Sequence, residues 1–209
     1  RMDVVFAIND GGTELAEKIL EEYACRKIVQ KNIDKMGCNE RLEYQFVLMM
    51  QAHIMLCGKY DRTELIAKLQ SAAALSIPQG TDVEFDCNKR IVLSVQELDI
   101  LLEYYYQLVC REAEEKNIKD ADYYIGRIRK AIDYILSADW FNTLSKARIL
   151  PKAVYYGMLS IQKKMQLNAD DHDGLIYIVD ELNSYGRCLS DYDNAIEVLR
   201  NVGRTYYLA

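Results

Sequence analysis

The densest set of side chains that could bind a metal or move a proton is Asp170, Asp171, His172 and Asp173. Carboxylate oxygens and an imidazole can hold a divalent ion. No second histidine follows at i+4, however, and the glycine and closing glutamate of an EF-hand loop are missing. The cluster reads instead as a polar turn whose acids favour the N-terminus of the next helix. His53 sits in a strongly apolar stretch with no nucleophile or orienting acid beside it. It reads as a core or groove histidine, not a catalytic base. Glu112, Glu114, Glu115 and Lys116 form a charge run at the end of a helix, the pattern of a solvated face. No GxGxxG, P-loop, GxSxG or HExxH motif occurs. These residues predict neither an enzyme nor a bound cofactor or metal.

The chemistry that remains is recognition. Tyr104, Tyr105 and Tyr106 are consecutive, and helix neighbours point about 100° apart, so the three cannot share one face. One or two belong to the core, and at least one borders a groove or a subunit contact. Helical register places Asp99, Glu103 and Tyr106 on one side of their helix, at i, i+4 and i+7. The same register in neighbouring repeats turns Gln45 and Met49, and then Tyr156, Ser160 and Lys163, towards that groove. An acidic pair beside aromatic rings suits a ligand with cationic and apolar groups, as many short peptides have. A merely solubilising surface is the alternative reading of the same side chains.

These positions need helices in register. The segment 1–9 reads as the tail of a helix ended by Asp10, Gly11 and Gly12. Thr13 then caps a helix with Leu15, Ile19 and Leu20 on its apolar face. Asn39 and Glu40 open an almost wholly apolar helix that runs to Gly58, and apolarity all round marks a central helix. Its partner covers 61–77, with Leu65, Ile66, Leu69, Ala72 and Ala73 at helical spacing. Residues 78–93 read as a loop. Ser94 and Glu97 form a capping box for a helix persisting to about Lys116. Its partner starts near Asp120 and carries Tyr124, Ile125, Ile128, Ala131, Ile132 and Ile135. After a turn at 139–143, a helix covers about 144–166, either kinked at Pro151 or starting there. A partner carrying Leu175, Ile178, Val179, Leu182 and Tyr185 follows, then a last helix from Tyr192.

Complete pairs thus begin near 39, 94 and 144. Helix pairs returning roughly every 40 to 50 residues build solenoids, because no pair buries its apolar stripe alone. The fold expected is all-α: a single repeat domain over 1–209, a right-handed TPR-like superhelix of stacked antiparallel pairs with a concave groove. An up-down helix bundle is the alternative.

Composition agrees. Only 2 prolines and 10 glycines occur, and that scarcity of breakers suits helices better than a sandwich or barrel. The 16 tyrosines against 4 phenylalanines and 1 tryptophan suit amphipathic faces beside a wet groove. A net charge of −6 lacks the basic footprint of a nucleic-acid binder. Nucleic acid is expected only through a domain outside this chain. No apolar run approaches the roughly 20 residues of a membrane span, and no secretory signal is visible. Cysteines 25, 38, 57, 87, 110 and 188 show no CxxC pair. They predict reduced, mostly buried thiols and a cytoplasmic protein. The chain opens on Arg1 and stops at Ala209 within a helix-patterned segment, which reads as a piece of a longer protein.

LSDYDNAIEVL resembles the turn of a tetratricopeptide (TPR) repeat, an acid and an aromatic followed by an alanine. ELAEKILEEY, NERLEYQFVLMMQAHIMLCGKYDRTELIAKLQSAAALSIP, IVLSVQELDILLEYYYQLV and IRKAIDYIL together resemble the C-terminal sensor region of Firmicute helix-turn-helix regulators of the peptide-responsive RNPP type. In that group an L-x-I-P run, a loop and L-S-x-x-E-x-x-L-L recur between the second and third helix pairs. Here these are Leu75, Ser76, Ile77 and Pro78, then Leu93, Ser94, Val95, Gln96, Glu97 and Leu98. The likeness covers most of residues 10–185. It implies a preceding DNA-binding domain, a right-handed superhelix that dimerises, and a short signalling peptide bound on the concave face. That family often places Asn in the groove helices, where this chain has Asp99 and Tyr156-Gly157.

Overall fold

Apolar residues at helical spacing, few breakers and well-placed caps make most of the described residues helical in the computed structural model. The described residues are 1–29, 32–86, 92–141 and 143–167. Among them are seven α-helices, one 3-10 turn and no strand. The Asp170–173 cluster, the helices expected beyond it and the LSDYDNAIEVL stretch lie outside the described residues. The chain divides into two compact units, Arg1–Val83 and Glu84–Ala209.

In the first unit α1 (Met2–Asn9) and α2 (Thr13–Lys27) are joined by a tight turn. Gly11 adopts φ 75° there, a left-handed conformation that disfavours any side chain. A 3-10 turn (Ile33–Lys35) leads to α3 (Cys38–Leu56), and α4 (Arg62–Ala74) follows. Helix α3 is central, as its all-round apolarity predicts: α1, α2 and α4 all pack on it. Val4, Ala7, Ala16, Leu20, Phe46, Val47, Met50 and Ile54 form one core cluster, and α4 buries Leu65, Ile66, Leu69, Ala72 and Ala73. The Tyr23 ring meets Phe46 edge-on at 5.5 Å. Above that core Arg1 pairs with Glu43 at 2.7 Å, Tyr23 donates to the same carboxylate, and Arg1 stacks 4.6 Å over Phe46. Asp61 caps α4 by accepting Thr63 N–H at 2.8 Å.

Several local expectations shift. The residue before α2 is Gly12, so Thr13 is its first residue and not its cap. Leu15 is 56% exposed; Ala16 and Leu20 take the buried stripe instead. Helix α3 starts at Cys38, one residue early, and its last residue is Leu56, with Cys57 as its C-cap and Gly58 next, at the C′ position expected for it. The thiols do not follow the expectation of burial either: Cys25, Cys38 and Cys57 are exposed, and only Cys110 among the described cysteines is buried. Helix ends place Cys38 and Cys57 at the surface, and Cys25 sits half a turn round from the buried Ala16.

In the second unit the Ser94 capping box forms in full. Ser94 Oγ accepts Glu97 N–H at 3.2 Å, and Glu97 accepts Ser94 N–H at 2.7 Å. It starts α5 (Val95–Glu114), followed by α6 (Ile118–Ser137) and α7 (Thr143–Leu167). Each of these helices packs against the other two. Tyr134 is almost wholly buried and gathers the Phe85, Trp140 and Phe141 rings within 5.6–6.2 Å. Helix α7 runs through Pro151, so the start near that residue is corrected. Proline there removes one intrahelical bond, that to the Ala147 carbonyl.

The α5–α6 turn also departs from expectation. Asn117 N–H bonds Glu112 O at 2.8 Å and Lys116 N–H bonds Ala113 O at 3.2 Å, with Lys116 at φ 58°. This is a Schellman closure with lysine where glycine is usual. The turn folds Glu112 inward, to 4% exposure. There it pairs with Arg111 at 2.6 Å and accepts from Asn117 at 3.0 Å. Of the charge run, only Glu114, Glu115 and Lys116 form a solvated face.

Candidate functional site

Asp99, Glu103 and Tyr106 recur along α5 at spacings that keep them on one face, and that face meets α7. Lys152, Tyr156 and Ser160 recur on α7 at i, i+4 and i+8. The two rows make a polar seam. Asp99 forms an ion pair with Lys152. Glu103 accepts from Tyr156 OH with one oxygen and from Gln107 Nε2 at 2.9 Å with the other. The Tyr106 and Tyr156 rings lie 5.2 Å apart, and the Lys152 ammonium sits 5.8 Å from the Tyr156 ring centre. Ser160 is fully buried, and its Oγ has no hydrogen-bond partner among the described residues. Lys163 is partly buried.

The seam is graded by depth. Glu103 and Tyr156 are 4% and 5% exposed, whereas the Lys152 and Asp99 side chains keep 24% and 19% of their exposure. The ion pair is therefore the rim, and the Glu103–Tyr156 bond is the floor. Burial, with a lesser contribution from Cys110 and Glu103, raises the Tyr106 phenol. Tyr106 thus stays a neutral hydroxyl. The floor is already satisfied, so an incoming group gains most at the rim, where a cation would compete with Lys152 for Asp99 and an anion would compete with Asp99 for Lys152.

Gln45 and Met49 belong to the first unit. Gln45 is buried; its Nε2 donates to Ala72 O at 2.9 Å and to Ser76 Oγ at 2.7 Å. It thereby gives the Ala72 carbonyl a shorter bond than the 3.4 Å one it receives from Leu75 N–H at the end of α4. Met49 packs at the edge of the core. Neither lines the open cleft of that unit, which holds about 460 Å³ between α2, α3 and α4. Leu20, Ile54 and Met55 supply its apolar surface, with Glu17 and Glu21 from α2 and Lys68 from α4 around them. Lys68 also donates to Gln51 at 3.1 Å. Its volume falls within the range of ligand clefts.

Lys152 and Gln107 were absent from the sequence-based set. Lys152 stands one turn before Tyr156, so extending the same register backwards would have reached it. The cleft residues gave no such signal, because three helices contribute to it. His53 is partly buried on α3. No protein-family model, curated protein or solved structure matches this chain.

Proposed function

We propose that this chain is the peptide-sensing and oligomerisation domain of a cytoplasmic transcriptional regulator, its helix pairs stacked as a right-handed TPR-like superhelix. The observation that carries the reading is the α5–α7 seam, a charged and tyrosine-rich stripe where two amphipathic helices meet. The packing of α1 on α3 and of α5 on α7 supports stacked pairs, since like helices of successive pairs touch in such stacks. A short peptide with a cationic group would take Asp99 from Lys152 and lay apolar side chains on Tyr106. A ligand shifts a two-state equilibrium only by its differential affinity for the two forms. Here that difference comes from the broken Asp99–Lys152 pair, whose loss loosens α5 against α7 and alters a homodimer contact.

The test is capture of short peptides from a native extract by the intact chain, followed by titration with the captured species. Asp99→Ala and Tyr106→Ala should each weaken binding about tenfold or more, roughly the loss of one charge-assisted or aromatic contact. Unchanged affinity in both variants would overturn the assignment to this seam. The chain should run as a dimer by light scattering, with a mass or shape change on peptide addition.

A second reading is a TPR-type scaffold that binds a protein segment with no small signal. The open cleft between α2 and α4 favours it, because that cleft can accept side chains without displacing an internal pair. The neighbouring coding sequence separates the two: a helix-turn-helix segment upstream of Arg1 supports the regulator and speaks against the scaffold.

A further inference from the structure

Arg41 is a permanent cation that no carboxylate meets among the described residues. Its neighbours on α3 are committed elsewhere: Glu40 accepts Val29 N–H at 2.7 Å, and Glu43 holds Arg1 and Tyr23. Arg41 Nε is buried and has no hydrogen-bond partner among the described residues. Arginine stays charged at any physiological pH, so a desolvated, unanswered N–H is unfavourable unless some acceptor reaches it. Room for an acceptor exists beside the guanidinium as a whole. Arg41 lines a cavity of about 280 Å³ whose other walls are Met36, Cys38, Leu42, Leu75 and Ser76. Three of those walls are aliphatic or thioether side chains. Leu42 is 43% exposed, which leaves an apolar surface beside the charge.

From this juxtaposition we infer that the cavity between the start of α3 and the end of α4 is a binding site for a carboxylate carried on a short aliphatic group. The guanidinium takes the carboxylate, for which its planar fork of donors is suited, and Met36, Leu42 and Leu75 take the aliphatic part. Two sources share this chemistry: a free branched-chain acid, and the C-terminal residue of a peptide. The inference rests on the cavity alone and holds whether or not the α5–α7 seam senses peptides.

The experiment uses the full 209-residue chain and four probes: 4-methylpentanoate, its uncharged amide, and a hexapeptide ending in leucine with either a free or an amidated C-terminus. Binding is read by calorimetry and by NMR shifts of the Met36 and Leu75 methyl groups. Saturable binding of either carboxylate probe is expected, at least tenfold tighter than that of its amide. Arg41→Gln should remove this preference, with Arg41→Lys keeping part of it. Circular dichroism and a melting curve identify a variant that fails to fold, and the acid-against-amide comparison in the unaltered chain decides the matter without any variant. A peptide acid at least tenfold tighter than 4-methylpentanoate assigns the site to a chain terminus, and the reverse assigns it to a free acid. Equal binding of acid and amide, an Arg41→Gln variant that folds and keeps the preference, or hydration alone with no saturable binding would each overturn the inference.

Discussion

Glu103 shows how much one buried carboxylate depends on its donors. Tyr156 and Gln107 supply them, and a buried acceptor left without its donor costs about 1–3 kcal/mol. Tyr156→Phe keeps the ring against Tyr106 and removes only the hydroxyl. Urea unfolding should therefore show a loss of about 1–3 kcal/mol with little change in helicity. Glu43 gives a pH-dependent counterpart. Burial alone would raise its carboxyl, but hydrogen bonds from Tyr23 and Arg1 outweigh that and hold it below its ordinary value of 4.5. A depressed folded pKa contributes stability that is full above the unfolded value and is lost as pH falls through the folded one. The pair is partly solvated, so the contribution is about 0.5–1 kcal/mol after screening. Glu43→Gln should be less stable than the parent by about that amount at pH 7, and the two melting curves should converge below pH 4.5, where the unaltered carboxyl takes up its proton. A gap that persists in acid would assign the effect to packing.

At the scale of elements, ends matter as much as faces. The α5–α6 turn closes on Lys116 at φ 58°, a conformation that costs a side-chain-bearing residue roughly 1–2 kcal/mol. Lys116→Gly should relieve most of this and raise stability by about 0.5–1 kcal/mol, the usual gain of glycine at such a closure net of its extra chain entropy. A fall in melting temperature would mean that the lysine side chain itself holds the turn. The Ser94 capping box should behave conversely, with Ser94→Ala losing about 1 kcal/mol of stability. Only one of these two ends is legible in the sequence. Ser94 and Glu97 form a local pattern three residues apart, whereas nothing in a lysine announces a left-handed residue.

For the whole molecule, the described helices fall into two units, and each holds buried apolar side chains. None of these helices is long and apolar enough to cross a membrane. Thiol chemistry probes both units at once. Site-resolved labelling with an uncharged maleimide should modify Cys25, Cys38 and Cys57 quickly in the native chain, and Cys110 only as the chain unfolds. Slow labelling of the first three would show that an assembly covers them, and for Cys38 the cover would include the rim of the Arg41 cavity. Peptide or acid ligands that close that cavity should slow Cys38 alone.

Sequence by itself determined the helices, their approximate limits, the capping box and the rows of residues that share a face. All of these follow from a periodicity carried within one stretch of backbone. The register that puts Asp99, Glu103 and Tyr106 together is of this kind, and so is the central position of α3. Tertiary structure alone decided which of those faces are filled. Tyr156 reaches Glu103 across 53 positions of chain, Gln45 spends its amide on the end of α4, and Glu112 turns inward from a run that reads as solvated. No local pattern encodes such partners, because they depend on how separate helices meet once their apolar stripes are buried. The same holds for Arg41: its charge is plain in the chain, but the cavity beside it, and the want of an acid partner among the described residues, exist only after folding.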